Sequence, residues 1–254
     1  MGWVIDLDGV IWLADAPIEG SAAAVARLRQ QGQEVVFVTN NSSEPVAAQE
    51  AKLAGHGIDA AGSVVTSALI AASMIMPGER ALPIAGPGVI EALAQRGVVI
   101  VEPNAPEIDV VVVGFHRNFD YERMKAAAVA VHRGARLLAT NNDPTYPTPE
   151  GPIPGGGAIL ASIVTATGVE PAVAGKPNLS AVSYVRDRIG DHGVVVGDRP
   201  DTDGEFAVAL GYDFALVLSG VTTRADLPVD PHPVLVAQDL AEVVERLAGS
   251  GAGR

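Results

Sequence analysis

Short runs rich in Val and Ile alternate along this chain with Ala-rich runs whose apolar positions recur at helical spacing. Trp3–Leu7 reads as a buried strand, and Ser21–Gln31 as a helix with Ser21 as its N-cap and Gly32 just past its end. Glu34–Thr39 is the next strand. Pro45–His56 is the next helix, with Pro45 suited to its first turn and Gly57 closing it. Val64–Thr66 predicts a short strand, followed by an Ala-rich helix reaching Met76. The rhythm returns near the C-terminus, with helices at Leu179–Ile189 and Asp203–Leu210 and strands at Val194–Val196, Asp213–Val217 and Val234–Ala237. A last helix, Asp239–Leu247, carries Leu240, Val243, Val244 and Leu247 on one face. Val-rich strands separated by helices predict an α/β fold in which a parallel sheet is covered on both faces.

The middle of the chain is more heavily punctuated. Pro83, Gly86-Pro87-Gly88, Pro103, Pro106 and the run Asn141–Gly157 break it up. It still predicts strands at Val98–Val101, Asp109–Val113 and Arg136–Ala139, and helices at Tyr121–His132 and Ala158–Thr167. We read residues 78–173 as a second α/β unit inserted into a core made of 1–77 and 174–254. The tail Gly249–Arg254 is small and polar and is expected to be mobile.

Composition narrows the chemistry. The 254 residues include no Cys, which excludes disulfides, thiolate metal sites and a Cys nucleophile, and fits a reducing, cytoplasmic setting. The apolar runs are too short to cross a bilayer, and the N-terminus has no signal-peptide pattern. A formal net charge of −13 argues against nucleic acid and anionic lipid as partners. It also repels anionic substrates at long range, so a phosphate site would have to be built locally, from backbone N–H groups, a metal and one or two cations.

Four places carry such chemistry. Asp6-Leu7-Asp8-Gly9-Val10 puts two acids where a buried strand ends, the edge at which parallel sheets bind ligands. One carboxylate can attack phosphorus while the other donates a proton to the leaving oxygen. Acids also simply terminate strands. Val38-Thr39-Asn40-Asn41-Ser42-Ser43 follows another strand, and its hydroxyl and N–H groups can hold phosphate oxygens, although Thr and Asn equally suit strand ends and loops. Gly175-Lys176-Pro177 offers a cation, although most lone lysines are merely solvated. Gly197-Asp198-Arg199-Pro200-Asp201-Thr202-Asp203 offers carboxylates to a hard cation such as Mg²⁺. Alternatively, Asp203 caps the following helix. Ala85-Gly86-Pro87-Gly88 lacks the third glycine of a dinucleotide fingerprint, since position 91 is Glu91.

In this order, the four segments resemble the motifs of the haloacid dehalogenase-like superfamily, in the wording of its subfamily IIA. That group includes NagD-type phosphatases, 4-nitrophenylphosphatases and phosphoglycolate phosphatases. Val113-Gly114-Phe115-His116-Arg117, Thr140-Asn141-Asn142-Asp143 and Pro154-Gly155-Gly156-Gly157 look like further features of the subfamily. The resemblance implies a Rossmann-like parallel-sheet core with a large inserted α/β cap of the C2 type. It implies Asp6 as nucleophile and Asp8 as general acid and later base. It implies Mg²⁺ held by the Asp6 carboxylate, the Asp8 backbone carbonyl and Asp198, with Asp203 supporting the metal's waters. Thr39, the N–H of Asn40, Asn41 and Lys176 would bind the phosphoryl oxygens.

The expected activity is Mg²⁺-dependent hydrolysis of a phosphomonoester on a small metabolite, through an aspartyl-phosphate. Two alternatives stand beside it: transfer of the phosphoryl group to another acceptor, and binding of a phosphometabolite without turnover. A large cap is expected to exclude bulky or protein substrates. His116, Arg117, Asn141 and Tyr146 are the candidate cap contacts, each of them equally open to a structural role. His132 reads as a helix C-terminal residue. A homodimer through the cap is an open option.

Overall fold

The computed structural model describes residues 1–14, 16–146, 151 and 153–248. The expectation for the 249–254 tail falls outside the described residues. The chain divides into two compact units. One comprises 1–39, 49–65 and 176–254, and the other 40–48 and 66–175. The backbone thus passes between units at 39/40, 48/49, 65/66 and 175/176, whereas the sequence pattern placed the joints at 77/78 and 173/174.

The first unit is built on a six-stranded sheet. Its order is Leu235–Ala237, Asp213–Val217, Gly193–Gly197, Gly2–Ile5, Glu34–Thr39, Val64–Thr66. The pairings of Gly2–Ile5 with both neighbours, and those leading out to Leu235–Ala237, are parallel. Gly2–Ile5 and Gly193–Gly197 are buried along their whole length. That burial explains why they read as continuous apolar runs rather than as alternating ones. Helices Ser21–Gln30, Val46–Gly55, Leu179–Ile189, Glu205–Leu210 and Leu240–Ala248 alternate with the outer strands along the chain. The last of these buries Leu240, Val243 and Val244, as its spacing predicts.

The predicted Ser21 cap and the capping alternative for Asp203 are both corrected. The helix at 21 is capped by Gly20, which takes the left-handed conformation at φ 82°, while the Ser21 hydroxyl donates to the Val10 carbonyl at 3.0 Å. The helix predicted from Asp203 starts at Glu205. Residues Pro200–Gly204 form a wider, π-type turn, and the Asp203 carboxylate turns to Lys176 instead of capping.

The second unit has its own five-stranded sheet, ordered Ala172–Val173, Arg136–Ala139, Val110–Val113, Arg80–Ile84, Val99–Ile100. Every adjacent pair in it is parallel. Its core gathers Leu82, Ile84, Val111, Val113, Leu137 and Ile163. Each such side chain contributes about 1.5–3 kcal/mol relative to exposure. The glycines of the Gly86-Pro87-Gly88 turn have a packing reason. A Cβ on Gly88 would stand 2.2 Å from the Glu44 carbonyl, and one on Gly86 would stand 2.7 Å from that of Ser43. They let the helix Pro87–Gln95 begin against the backbone of the 40–48 segment.

Candidate active site

Three strand ends of the first sheet assemble the centre. Asp6 follows Gly2–Ile5, Asp198 follows Gly193–Gly197, and Thr39 ends Glu34–Thr39. These three strands are adjacent and parallel, so the three residues emerge at one edge. The Asp6 N–H prolongs the ladder by donating to the Val196 carbonyl at 3.0 Å. Thr39 is buried there.

Lys176 and Asp203 complete the cluster from farther along the chain. The Lys176 ammonium donates to Asp6 Oδ1 and to Asp203 Oδ1, at 2.6 Å each. Its side chain is only 4% exposed and that of Asp203 only 1%, so this is no solvated lysine. Asp203 Oδ2 accepts the Arg199 N–H at 3.2 Å. Asp198 Oδ2 accepts the Val221 N–H at 2.6 Å.

Asp6, Asp198 and Asp203 each offer an oxygen, and these oxygens lie within 4.8 Å of one another. At that distance, and at an effective dielectric of about 20, two like charges repel by roughly 3–4 kcal/mol. One ammonium cannot balance three buried carboxylates. The imbalance shows in their acidities. Burial pushes the Asp6 carboxyl well above the carboxylate range, with Asp203, Asp198 and Asp8 adding to the push and Lys176 opposing it. Burial, then the neighbouring Asp203 charge, pushes Asp198 up to about 7. For Lys176, burial works against the ammonium, but Asp203 and Asp6 outweigh it and hold the charge on. Clustered hard oxygens with surplus negative charge fit a small divalent cation.

Asp8 sits in a tight turn beside this cluster. Gly9 donates to the Trp12 carbonyl at 2.7 Å, and the Trp12 indole N–H donates to Asp8 Oδ1 at 2.9 Å. Gly9 has a φ of 83°, and a Cβ there would come 2.3 Å from Asp198 Oδ2.

The sequence pattern did not reveal the loop after Asp213–Val217. A Cβ on Gly220 would lie 1.9 Å from Asp198 Oδ2, the Val221 N–H holds that same oxygen, and the Ser219 hydroxyl donates to the Gly9 carbonyl at 2.7 Å. The loop contributes backbone and glycine rather than a charged side chain. Its only signal was its place after a parallel strand.

The other predicted residues are described within the second unit. The Asn40 side chain donates to Asp143 Oδ2 at 3.2 Å, and that of Asn41 to the Tyr146 hydroxyl at 3.4 Å. Asn141 is buried and donates to the Asn40 carbonyl at 2.6 Å. Tyr146 stacks on Phe115 with ring centroids 5.0 Å apart, and the Arg117 guanidinium lies 5.5 Å from the Phe115 ring centre. His116 Nδ1 accepts the Asn118 N–H at 3.0 Å. The structure therefore brings Asn40, Asn41, Asn141 and Tyr146 together, with Arg117 on the same aromatic ring. His116 is engaged locally.

Comparison with known proteins places this arrangement. A haloacid dehalogenase-like hydrolase model matches residues 3–99, and a second model, HAD-hydrolase-like, matches 173–243. An acid sugar phosphatase of Staphylococcus saprophyticus is 33% identical over 253 residues, covering 96% of this chain and 97% of that one. The solved p-nitrophenyl phosphatase of Archaeoglobus fulgidus superposes with a TM-score of 0.91 at 34% identity, over 97% of this chain and 98% of the other. A glycerol phosphate phosphatase of Mycobacterium tuberculosis, solved in complex with magnesium, gives a TM-score of 0.87 at 35% identity, over 94% and 74%. The chain belongs to the haloacid dehalogenase-like hydrolases, in the branch whose named members are phosphatases. Among the described residues no helix is long and apolar enough to cross a membrane.

Proposed function

We propose that the protein is a Mg²⁺-dependent phosphomonoester hydrolase that acts on small phosphorylated metabolites through an aspartyl-phosphate at Asp6. The observation that carries this reading is the buried convergence of Asp6, Asp198, Asp203 and Lys176, with Asp8 in the adjoining turn. A buried, surplus-negative cluster is costly to fold and has no structural use that apolar packing would not serve better. It is well suited to a cation and a phosphoryl group.

In the first step an Asp6 oxygen forms a bond to phosphorus and the ester P–O bond breaks. Asp8 passes its proton to the departing oxygen. In the second step Asp8 takes a proton from water, the water oxygen attacks phosphorus, and the Asp6–phosphoryl bond breaks to release phosphate. Lys176, the Thr39 hydroxyl, the Asn40 N–H and Asn41 hold the phosphoryl oxygens, and the fixed ammonium stabilises charge that grows in the transition state. Asp6, the Asp8 carbonyl and Asp198 would hold Mg²⁺, with Asp203 supporting its waters. When bound, the ion supplies the positive charge that lets an anionic carboxylate meet an anionic ester.

Residues 78–173 serve in this reading as the inserted cap. His116, Arg117, Asn141 and Tyr146 are its candidates for substrate selection. Sugar phosphates and glycerol phosphate are the first esters to try, since relatives of this chain are named for them. The test is a Mg²⁺-supplemented panel of metabolite esters run on wild type and on Asp6→Asn. Phosphate release by wild type that is lost in the variant supports the proposal. Full activity in Asp6→Asn, or binding without any release, removes it.

A further inference from the structure

We propose that Trp12 is a positioning residue for Asp8, its indole N–H fixing which carboxyl oxygen carries the proton to the leaving group. The inference rests on the reading of Asp8 as general acid. Trp12 is 1% exposed, and its Nε1 lies 2.9 Å from Asp8 Oδ1. The turn between the two is closed a second time by the Gly9 N–H on the Trp12 carbonyl, so indole and carboxyl have little freedom to part.

The indole is itself held. The Lys52 ammonium lies 4.2 Å from its ring centre and donates to the Ala14 carbonyl at 2.9 Å. The His56 ring packs at 5.8 Å, tilted by 45°. A buried Trp often finds some acceptor for its N–H, so such a bond alone is weak evidence of a role. The chain contains its own control. Of its two tryptophans, Trp3 is fully buried and its N–H has no hydrogen-bond partner, so this fold tolerates an indole without an acceptor. Trp12, in contrast, is aimed at a carboxylate one turn from the reacting centre.

The chemistry follows from the indole being a donor only. Oδ1 accepts from Nε1, and a carbonyl oxygen accepts better than a hydroxyl oxygen, so the bond favours the acid's proton on Oδ2. Without that donor the preference for Oδ2 weakens and one hold on the carboxyl is lost. Trp12 then matters in proportion to how much the leaving oxygen needs a proton. A phenolate leaving group, with a conjugate acid near Tyr's pKa of about 10, needs it. A 4-nitrophenolate, which delocalises its charge, needs it far less.

The experiment compares kcat/KM for phenyl phosphate and 4-nitrophenyl phosphate with Mg²⁺, two esters of nearly one shape. The ratio reports the step that breaks the ester bond. Trp12→Phe keeps the ring and removes the donor. It should raise the 4-nitrophenyl-to-phenyl ratio about tenfold, within the range of general-acid effects. Asp8→Asn should raise the ratio more, and adding Trp12→Phe to it should change the ratio no further. Equal losses on both esters in Trp12→Phe, with Asp8→Asn still discriminating, would reduce Trp12 to a packing residue and overturn the inference alone. If Asp8→Asn fails to discriminate, the general-acid reading falls and the inference with it. If Trp12→Phe does not fold, Lys52→Met decides the matter by loosening the ring from behind. A rise in the ratio of about twofold or more supports the clamp, and an unchanged ratio overturns it.

Discussion

Two clusters in this molecule each set one cation among acids, to opposite ends. In the first unit, Lys176 joins Asp6 and Asp203 beside Asp198, with its own side chain 4% exposed. In the second, Arg80 meets Asp109 and Glu107 across the start of two strands, and its side chain is 37% exposed. The exposed cluster is well satisfied, with Asp109 accepting the backbone N–H of Arg80 at 2.8 Å and its Nε at 2.9 Å. The buried one is short of positive charge and is held that way by packing. Ion pairs at the surface contribute little and ask little, whereas buried surplus charge opposes folding and points to chemistry.

Changing the buried cluster should therefore separate function from stability. Asp6→Asn is expected to lower Mg²⁺-dependent kcat on the order of 10⁴-fold or more, as loss of a covalent nucleophile does, read in a phosphate-release assay. Lys176→Met should lower kcat/KM by about 10²–10³-fold. It should also cost roughly 3–5 kcal/mol of stability in denaturant titrations, because two buried carboxylates lose their shared partner. Asp198→Asn sharpens the contrast. It should abolish Mg²⁺ binding by calorimetry yet raise Tm of the metal-free protein by roughly 2–4 °C, since it removes a carboxylate that burial and Asp203 disfavour.

Much of the first cluster was legible in the sequence. Asp6, Thr39 and Asp198 each follow a Val-rich run, and parallel strands bring such ends to one edge. Lys176 was legible only in combination with the others, since nothing local distinguishes it from a solvated lysine. The Ser219–Val221 loop was not legible, because its contribution is a bare Cα, one main-chain N–H and one serine hydroxyl, none of which stands out from an ordinary loop in residue type. The Ser21 cap and the capping alternative for Asp203 fail for one reason. Both are good capping residues by propensity, but a tertiary partner, the Val10 carbonyl for one and Lys176 for the other, took the side chain first. The paired strands Trp12–Leu13 and Ala16–Pro17, and likewise Thr145–Tyr146 and Ile153–Pro154, are two residues long and too short for alternation to register.

Smaller effects are expected in the second unit. Asn141→Ala should destabilise by about 0.5–1.5 kcal/mol in chemical denaturation, because it removes one of two donors to the Asn40 carbonyl and leaves the Ser67 hydroxyl at 2.7 Å as the other. Asp109→Asn should lower Tm slightly at neutral pH and leave kcat alone. The Arg80 guanidinium bond, with the Arg80 N–H, holds Asp109 at about 2, below its ordinary value. The native state thus binds this proton less readily than the unfolded chain. The stabilisation is full above the ordinary carboxylate range and is lost as pH falls through about 2. The Tm gap between wild type and Asp109→Asn should close over that interval.

The most direct measurement is covalent trapping. Wild type turning over 4-nitrophenyl phosphate with Mg²⁺ is quenched in acid, digested and read by mass spectrometry. One phosphoryl group, labile to hydroxylamine, is predicted on the peptide containing Asp6, and none in Asp6→Asn. A phosphoryl group on another peptide, or sustained turnover by Asp6→Asn, would contradict the account.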